Sequence, residues 1–251
     1  MANVMITGAS SGLGAAIAKL FAERGDNLYL VARRKPLLEE LQKELLANGA
    51  PNVEYRVVDL EDEAQVQQLS DDLPSLNIDV LINNAAFGQW DYSWNTAPGK
   101  MRSLIAVNVS AVAVLSIAFS KIKHEQAATL MNVASGAGYA LFEGSIPYSA
   151  SKFFVTALTE GIALELASQK QPMRAQLLAP GPIATEFMMN AMEGSKMGAI
   201  DAGAIQFHTA EQVAEFAMQL YDSEFDVGAV QDDMSFLLSD GVHPVGKLPE
   251  A

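Results

Sequence analysis

The sequence predicts one α/β domain, a doubly wound parallel sheet with helices on both faces. Short continuous apolar runs alternate with stretches of helical periodicity from end to end. The apolar runs lack the in-out alternation of a sheet with one wet face, so both of its faces are covered. The 251 residues, 50% of them hydrophobic, suffice for one sizeable core, and no repeat or Pro/Ser-rich linker divides them.

Val4 to Ile6 reads as the first strand. Leu13, Ile17, Leu20 and Phe21 then share one helix face, which Gly25 closes. Residues 27–32, "NLYLVA", form a second buried strand. Pro36 takes the first position of a helix that stops before Gly49. "VEYRVV" (53–58), "DVLIN" (79–83), "ATLMNVA" (128–134) and "RAQLLA" (174–179) are further strands with helical stretches between them. Residues 101–122 are apolar on nearly every helical face and need cover on two sides.

Composition narrows the function classes. A formal charge of −14 and a pI of about 4.5 repel phosphate backbones and anionic lipid, so neither nucleic acid nor membrane is expected as a partner. Without cysteine there is no disulfide framework and no thiolate metal site. His124, His208 and His243 are scattered without metal-ligand spacing, and no metal is expected. The first strand leaves no room for a signal peptide, and no apolar run reaches the ~18 residues of a membrane span. A cytoplasmic location is the expectation.

"TGASSGLG" (7–14) places Gly8, Gly12 and Gly14 between the first strand and the first helix. A helix N-terminus offers unpaired N–H groups and a positive dipole end, and glycines let an anion approach them. With Ser10, Ser11 and Leu13 the loop suits a pyrophosphate, although its G-x-x-x-G-x-G spacing departs from the usual dinucleotide fingerprint. A tight turn without a ligand is the alternative. After the second strand come Ala32, Arg33, Arg34 and Lys35, where folds that prefer NAD place an acid. The cations suit a 2′-phosphate, which points to NADP(H). A solvated basic helix start is the alternative, one the helix dipole disfavours.

"PYSASK" sets Tyr148 and Lys152 four apart, on one helix face. An ammonium ~4 Å from the phenol, at an effective dielectric of about 20, is worth about 4 kcal/mol. That would draw the Tyr148 pKa down toward neutrality, where it works best as an acid or base. Ser135 ends a strand on the edge where such sheets bind ligands, placed to hold an oxygen that Tyr148 protonates. "NVASGAG" lacks the G-x-S-x-G elbow, so Ser135 is not read as a hydrolase nucleophile.

Together these residues resemble the short-chain dehydrogenase/reductase family, in its single-domain branch with a Rossmann fold. The likeness covers nearly the whole chain. "TGASSGLG" resembles the family's cofactor loop. Asp59, followed by Leu60 in "VVDL", matches the aspartate that contacts the adenine ring. "NNAA", with Asn84, Ala85 and Ala86, is similar to N-N-A-G, with Ala86 in place of the glycine. Asn108 matches the catalytic asparagine, and 27, 13 and 4 residues separate Asn108, Ser135, Tyr148 and Lys152 in turn, as in the family. "PGPIAT", with Pro180, Gly181, Ile183 and Thr185, matches the loop that meets the nicotinamide. "SDGVHP" (239–244) keeps only part of the family's C-terminal pattern.

The resemblance implies reversible hydride transfer between NADP(H) and a small carbonyl or secondary alcohol. Tyr148 would move the proton and Ser135 would hold the oxygen. Lys152 would lower the Tyr148 pKa and bind the ribose, and Asn108 would hold a water in the proton path. Residues 186–208, with Met188, Met189, Met192 and Met197, would form a lid, an ordinary core helix being the alternative. Phe142, and with it Phe87, Trp90 and Tyr139, would line the pocket. The apolar helix and the Tyr148 helix would build a homotetramer or homodimer. A dinucleotide sensor without turnover, or a lyase on the same fold, competes with this reading. The serine, tyrosine and lysine set counts against the sensor, and the glycine loop with its arginines against the lyase.

Overall fold

The structure, a computed structural model, describes residues 1–197 and 206–245. Chain order runs β1 (Asn3–Thr7), α1 (Gly12–Glu23), β2 (Asn27–Ala32), α2 (Lys35–Ala47), β3 (Val53–Val57), α3 (Glu63–Leu76) and β4 (Val80–Asn83). Next come α4 (Pro98–Ile105), a π-helical turn (Ala106–Ala111), α5 (Val112–Lys123), β5 (Thr129–Val133), α6 (Ile146–Ser168) and β6 (Arg174–Ala179). The described chain continues with α7 (Glu186–Met192), α8 (Ala210–Asp222), β7 (Val227–Val230) and β8 (Phe236–Ser239).

The strands form one sheet in the order β3-β2-β1-β4-β5-β6-β7-β8. Its pairings are parallel except that β8 runs antiparallel to β7. The apolar runs are continuous because alternate residues serve two cores. Val4 and Ile6 of β1 pack with Ile17 and Phe21 of α1 and Val213 and Leu220 of α8. Met5 packs on the opposite face, with Leu69 of α3, Phe119 of α5 and Ile162 of α6. The doubly wound expectation holds.

The last two strands carry no clear sequence signal. β7 is the four residues "VGAV", and Gly228 leaves the space into which the Phe236 ring of β8 packs. The expectation that no segment is apolar enough for a membrane span also needs correction. Pro98–Lys123 is one continuous 26-residue helix, long and apolar enough by composition to cross a membrane. Its inner residues Leu104, Ala111, Leu115 and Phe119 are buried in the protein, as in a core helix.

The chain leaves β1 toward β2 on one side and resumes beside β1 with β4 on the other. At this switch point the loops beyond the two carboxyl ends diverge and leave a crevice.

Candidate active site

A cleft of about 840 Å³ opens along the carboxyl edge of the sheet. At its centre the loops after β1 and β4 touch. Gly8 has φ +66°, and a Cβ there would stand 2.8 Å from Ala85 Cα. A Cβ on Gly14 would stand 2.5 Å from the Gly8 carbonyl oxygen, so α1 packs against the loop itself. Asn84 fastens the contact. Its backbone N–H donates to Thr7 Oγ1 at 3.0 Å, and its side-chain amide donates to the Thr7 and Gly8 carbonyls at 3.0 and 3.3 Å. Asn84 is therefore a brace for the glycine loop, while Ala85 and Ala86 line the cleft beside it.

Ser11 stands at the N-cap of α1 without placing its side chain on the first helical N–H groups. Those donors face a loop lined by Gly8, Ser10, Gly12 and Leu13, a cradle that fits a dinucleotide pyrophosphate. Across the cleft, Pro180, Gly181, Ile183 and Thr185 form the opposite wall. The Gly136 N–H donates to the Pro180 carbonyl at 2.9 Å, and the Ala184 N–H to the His208 carbonyl at 3.0 Å. His208 is nearly buried and edge-on to Phe216, a structural residue.

At the adenosine end the fold adds what local sequence does not show. Arg33 Nη1 lies 3.1 Å from Glu61 and 3.8 Å from Asp59. Arg34 Nη1 lies 3.0 Å from Glu186, and its other nitrogens donate to Ser10 Oγ and Ser11 Oγ. The cations after β2 have no acid beside them in sequence, but acids from later elements reach them. Leu60, nearly buried, forms the wall next to Asp59.

The reactive groups come from β5 and α6. Pro147 sits at the start of α6, Tyr148 in its first turn and Lys152 one turn on. Lys152 is 2% exposed, its Nζ donating to the Val133 carbonyl at 2.9 Å and standing 5.6 Å from the Tyr148 ring centroid. Ser135 follows β5, and its hydroxyl accepts from the Ala137 N–H at 3.2 Å.

The electrostatics correct the expected activation of Tyr148. Burial pushes its pKa up to about 12, and a hydrogen bond with Ser135 only partly opposes that. Burial brings Lys152 down to about 7. The lysine spends one donor on a carbonyl and is itself desolvated, so little of its charge reaches the phenol.

Asn108 is tied to α6 from behind. It lies in the π-helical turn, fully buried. Its Oδ1 accepts from the Phe87 N–H at 2.7 Å, and its Nδ2 donates to the Phe87 carbonyl at 2.9 Å and Ser151 Oγ at 3.1 Å. Both ends of the side-chain amide are thus engaged by protein groups. It joins the β4 loop to α6 and so positions Tyr148 from behind.

The far end of the cleft is apolar, lined by Phe87, Trp90, Phe142, Phe187, Met188 and Ala191. Phe187, which the sequence reading missed, lies 5.6 Å from the Tyr148 ring. Its signal is its place two residues past Thr185. Met189 does not line the cleft, because the next position on α7 turns it to solvent, 68% exposed. Tyr139 is also elsewhere, donating its hydroxyl to the buried Glu160 at 2.5 Å. Within residues 186–197, the Ala191 carbonyl accepts from the Trp90 N–H at 3.0 Å and the Lys196 N–H donates to Asp91 at 2.9 Å. Residues 198–205 of the expected lid lie outside the described residues.

A glycine cradle at the switch point, leading to a half-buried tyrosine and a buried lysine, defines a nicotinamide-dinucleotide oxidoreductase. The chain belongs to the short chain dehydrogenase family, whose pattern it matches over residues 2–196. It is similar to a short-chain dehydrogenase from Sphingobium yanoikuyae solved with NADPH, at 30% identity over 90% of this chain and 87% of that one, TM-score 0.82. It also resembles a bulky-bulky ketone specific alcohol dehydrogenase from Comamonas testosteroni, at 25% identity over 90% and 85% of the chains, TM-score 0.77. A relative from Burkholderia phymatum, 26% identical over 87% and 84% with a TM-score of 0.76, was solved with NAD.

Proposed function

We propose that this protein is an NADP(H)-dependent reductase of apolar ketones and aldehydes. The observation that carries the reading is the convergence of Ser135, Tyr148 and Lys152 where the glycine-lined arm of the cleft meets its apolar arm. When bound, the cofactor supplies the hydride. Tyr148 stays protonated at neutral pH and gives its proton to the carbonyl oxygen. Ser135 donates to the same oxygen and stabilises its developing charge. Lys152, with one donor on Val133, holds the ribose with the others.

The aromatic wall receives the substituents of the carbonyl. Among the described residues, Arg33, Arg34 and Lys152 are the cations that line the cleft, and none stands at the apolar end to fix an anionic substrate. Segment 186–197 crosses the mouth as a lid. Arg33 and Arg34 favour a 2′-phosphate, which the NADPH-bound relative supports and the NAD-bound relative does not. Mixing the protein with NADPH and a panel of ketones, followed at 340 nm, tests the reading.

The raised Tyr148 pKa fixes the expected pH behaviour. Reduction uses the protonated phenol, so Tyr148 itself imposes no pH dependence on it across neutral pH. Oxidation of the alcohol needs the phenolate, so kcat/KM in that direction climbs about tenfold per pH unit from about pH 7 to 9. An oxidation profile already level below about pH 7 would show that Tyr148 ionises far lower than its burial implies.

A homotetramer or homodimer follows from the family likeness and from the apolar surface on two helices. Val114 and Ile117 of α5 and Phe154 and Leu164 of α6 are exposed. Light scattering should give a multiple of the 26.8 kDa chain, and Ile117→Glu should lower it. A wild-type mass of one chain would end this reading. The acidic, cysteine-free composition suits a cytoplasmic setting without nucleic acid or membrane partners.

A further inference from the structure

We infer that Glu186 is a specificity-determining residue that occupies the seat of the cofactor's 2′-phosphate on Arg34 and gives it up when NADP(H) enters. The inference rests on the NADP(H) reading above and adds a competitor to it. Each guanidinium nitrogen of Arg34 has a partner in the structure. One edge of its guanidinium meets Ser10 Oγ and Ser11 Oγ, and Nη1 meets Glu186 at 3.0 Å. The hydroxyls come from the glycine loop, while the carboxylate comes from the first residue of α7, 152 positions away.

This contact spans the mouth of the cleft. Arg34, Ser10, Ser11 and Glu186 all line it, on the arm that runs from the glycine loop to Asp59. A phosphate dianion on Arg34 would find the carboxylate at hydrogen-bonding range from the same guanidinium, and two anions there repel. Both side chains are about half exposed, 46% for Arg34 and 56% for Glu186, so the bridge is weak and exchangeable. Arg33 is held less closely at the same end, by Glu61 and Asp59.

The consequence reaches the substrate end. Glu186 is followed on α7 by Phe187, against the Tyr148 ring, and Met188 in the cleft wall. A ligand with a 2′-phosphate breaks the tie between Arg34 and α7, whereas NAD(H) leaves it in place. Discrimination between the two dinucleotides thus depends on a carboxylate of the lid as well as on the arginines.

The test uses the whole protein and two fragments that lack nicotinamide, 2′,5′-ADP and 5′-ADP, measured by calorimetry at low salt. Glu186→Gln keeps the size of the side chain and one acceptor oxygen and removes its charge. It should tighten 2′,5′-ADP about threefold to tenfold, leave 5′-ADP within about twofold, and lose that gain at high salt. Equal tightening of both fragments would overturn the exchange, since the phosphate would not be what Glu186 opposes. Unchanged 2′,5′-ADP binding in Glu186→Gln, with weaker binding in Arg34→Ala, would overturn the role of Glu186 and keep the phosphate site. Equal wild-type affinity for the two fragments would remove the phosphate site and the inference together.

Discussion

Tyr148→Phe should bind NADPH like the wild type and lose at least ~10²-fold in single-turnover hydride transfer, the scale set by a positioned general acid. The substitution removes one hydroxyl and keeps the ring. The ring packs against Phe187 and stays in place, so the cofactor arm of the cleft is undisturbed. What disappears is the proton that the carbonyl oxygen needs as hydride arrives. Ser135 alone can donate to that oxygen, but a serine hydroxyl does not readily give up its proton at neutral pH. A transfer rate above about a tenth of the wild-type value would remove Tyr148 from the role of proton donor.

The second large effect concerns the dinucleotide. A charge-assisted hydrogen bond is worth roughly 1.5–3 kcal/mol, which corresponds to a preference of ~10- to ~150-fold at about 1.4 kcal/mol per tenfold. Arg33 and Arg34 are both exposed and already paired with carboxylates, which places the expected preference for NADPH in kcat/KM at the low end, about tenfold. Ala32→Asp with Arg33→Ala should invert it. Ala32 ends β2 and lines the cleft, so a carboxylate there repels the phosphate and accepts from a ribose hydroxyl. Equal use of NADH and NADPH by the wild type at low salt would contradict the assignment.

What the sequence revealed follows from the range of each interaction. The strand-loop-helix unit from Val4 to Phe21 is local, and its glycines are where the structure needs them. Tyr148 and Lys152 share a helix face because four residues separate them, and α6 places them so. Their electrostatics were not legible. The depth of burial and the Val133 carbonyl that takes up Lys152 come from β5, in another part of the chain. The three acids around the arginines arrive from the β3–α3 loop and α7, so a local reading saw unopposed cations. On α7 a difference of one position decides between Met188 in the cleft and Met189 in solvent, and composition does not fix that phase. Asn108 was found as a site residue, but its role depends on the backbone of Phe87, which only the folded chain brings to it.

The most direct test of the account mixes the wild-type protein with one equivalent of NADPH and then with aliphatic and aryl ketones of increasing bulk, following absorbance at 340 nm. The account predicts loss of absorbance with uncharged ketones, the alcohol as product, and a much slower loss with carboxylated or sulfonated carbonyls of the same size. Tight NADPH binding with stable absorbance against every carbonyl would contradict it and leave a dinucleotide-binding protein without turnover.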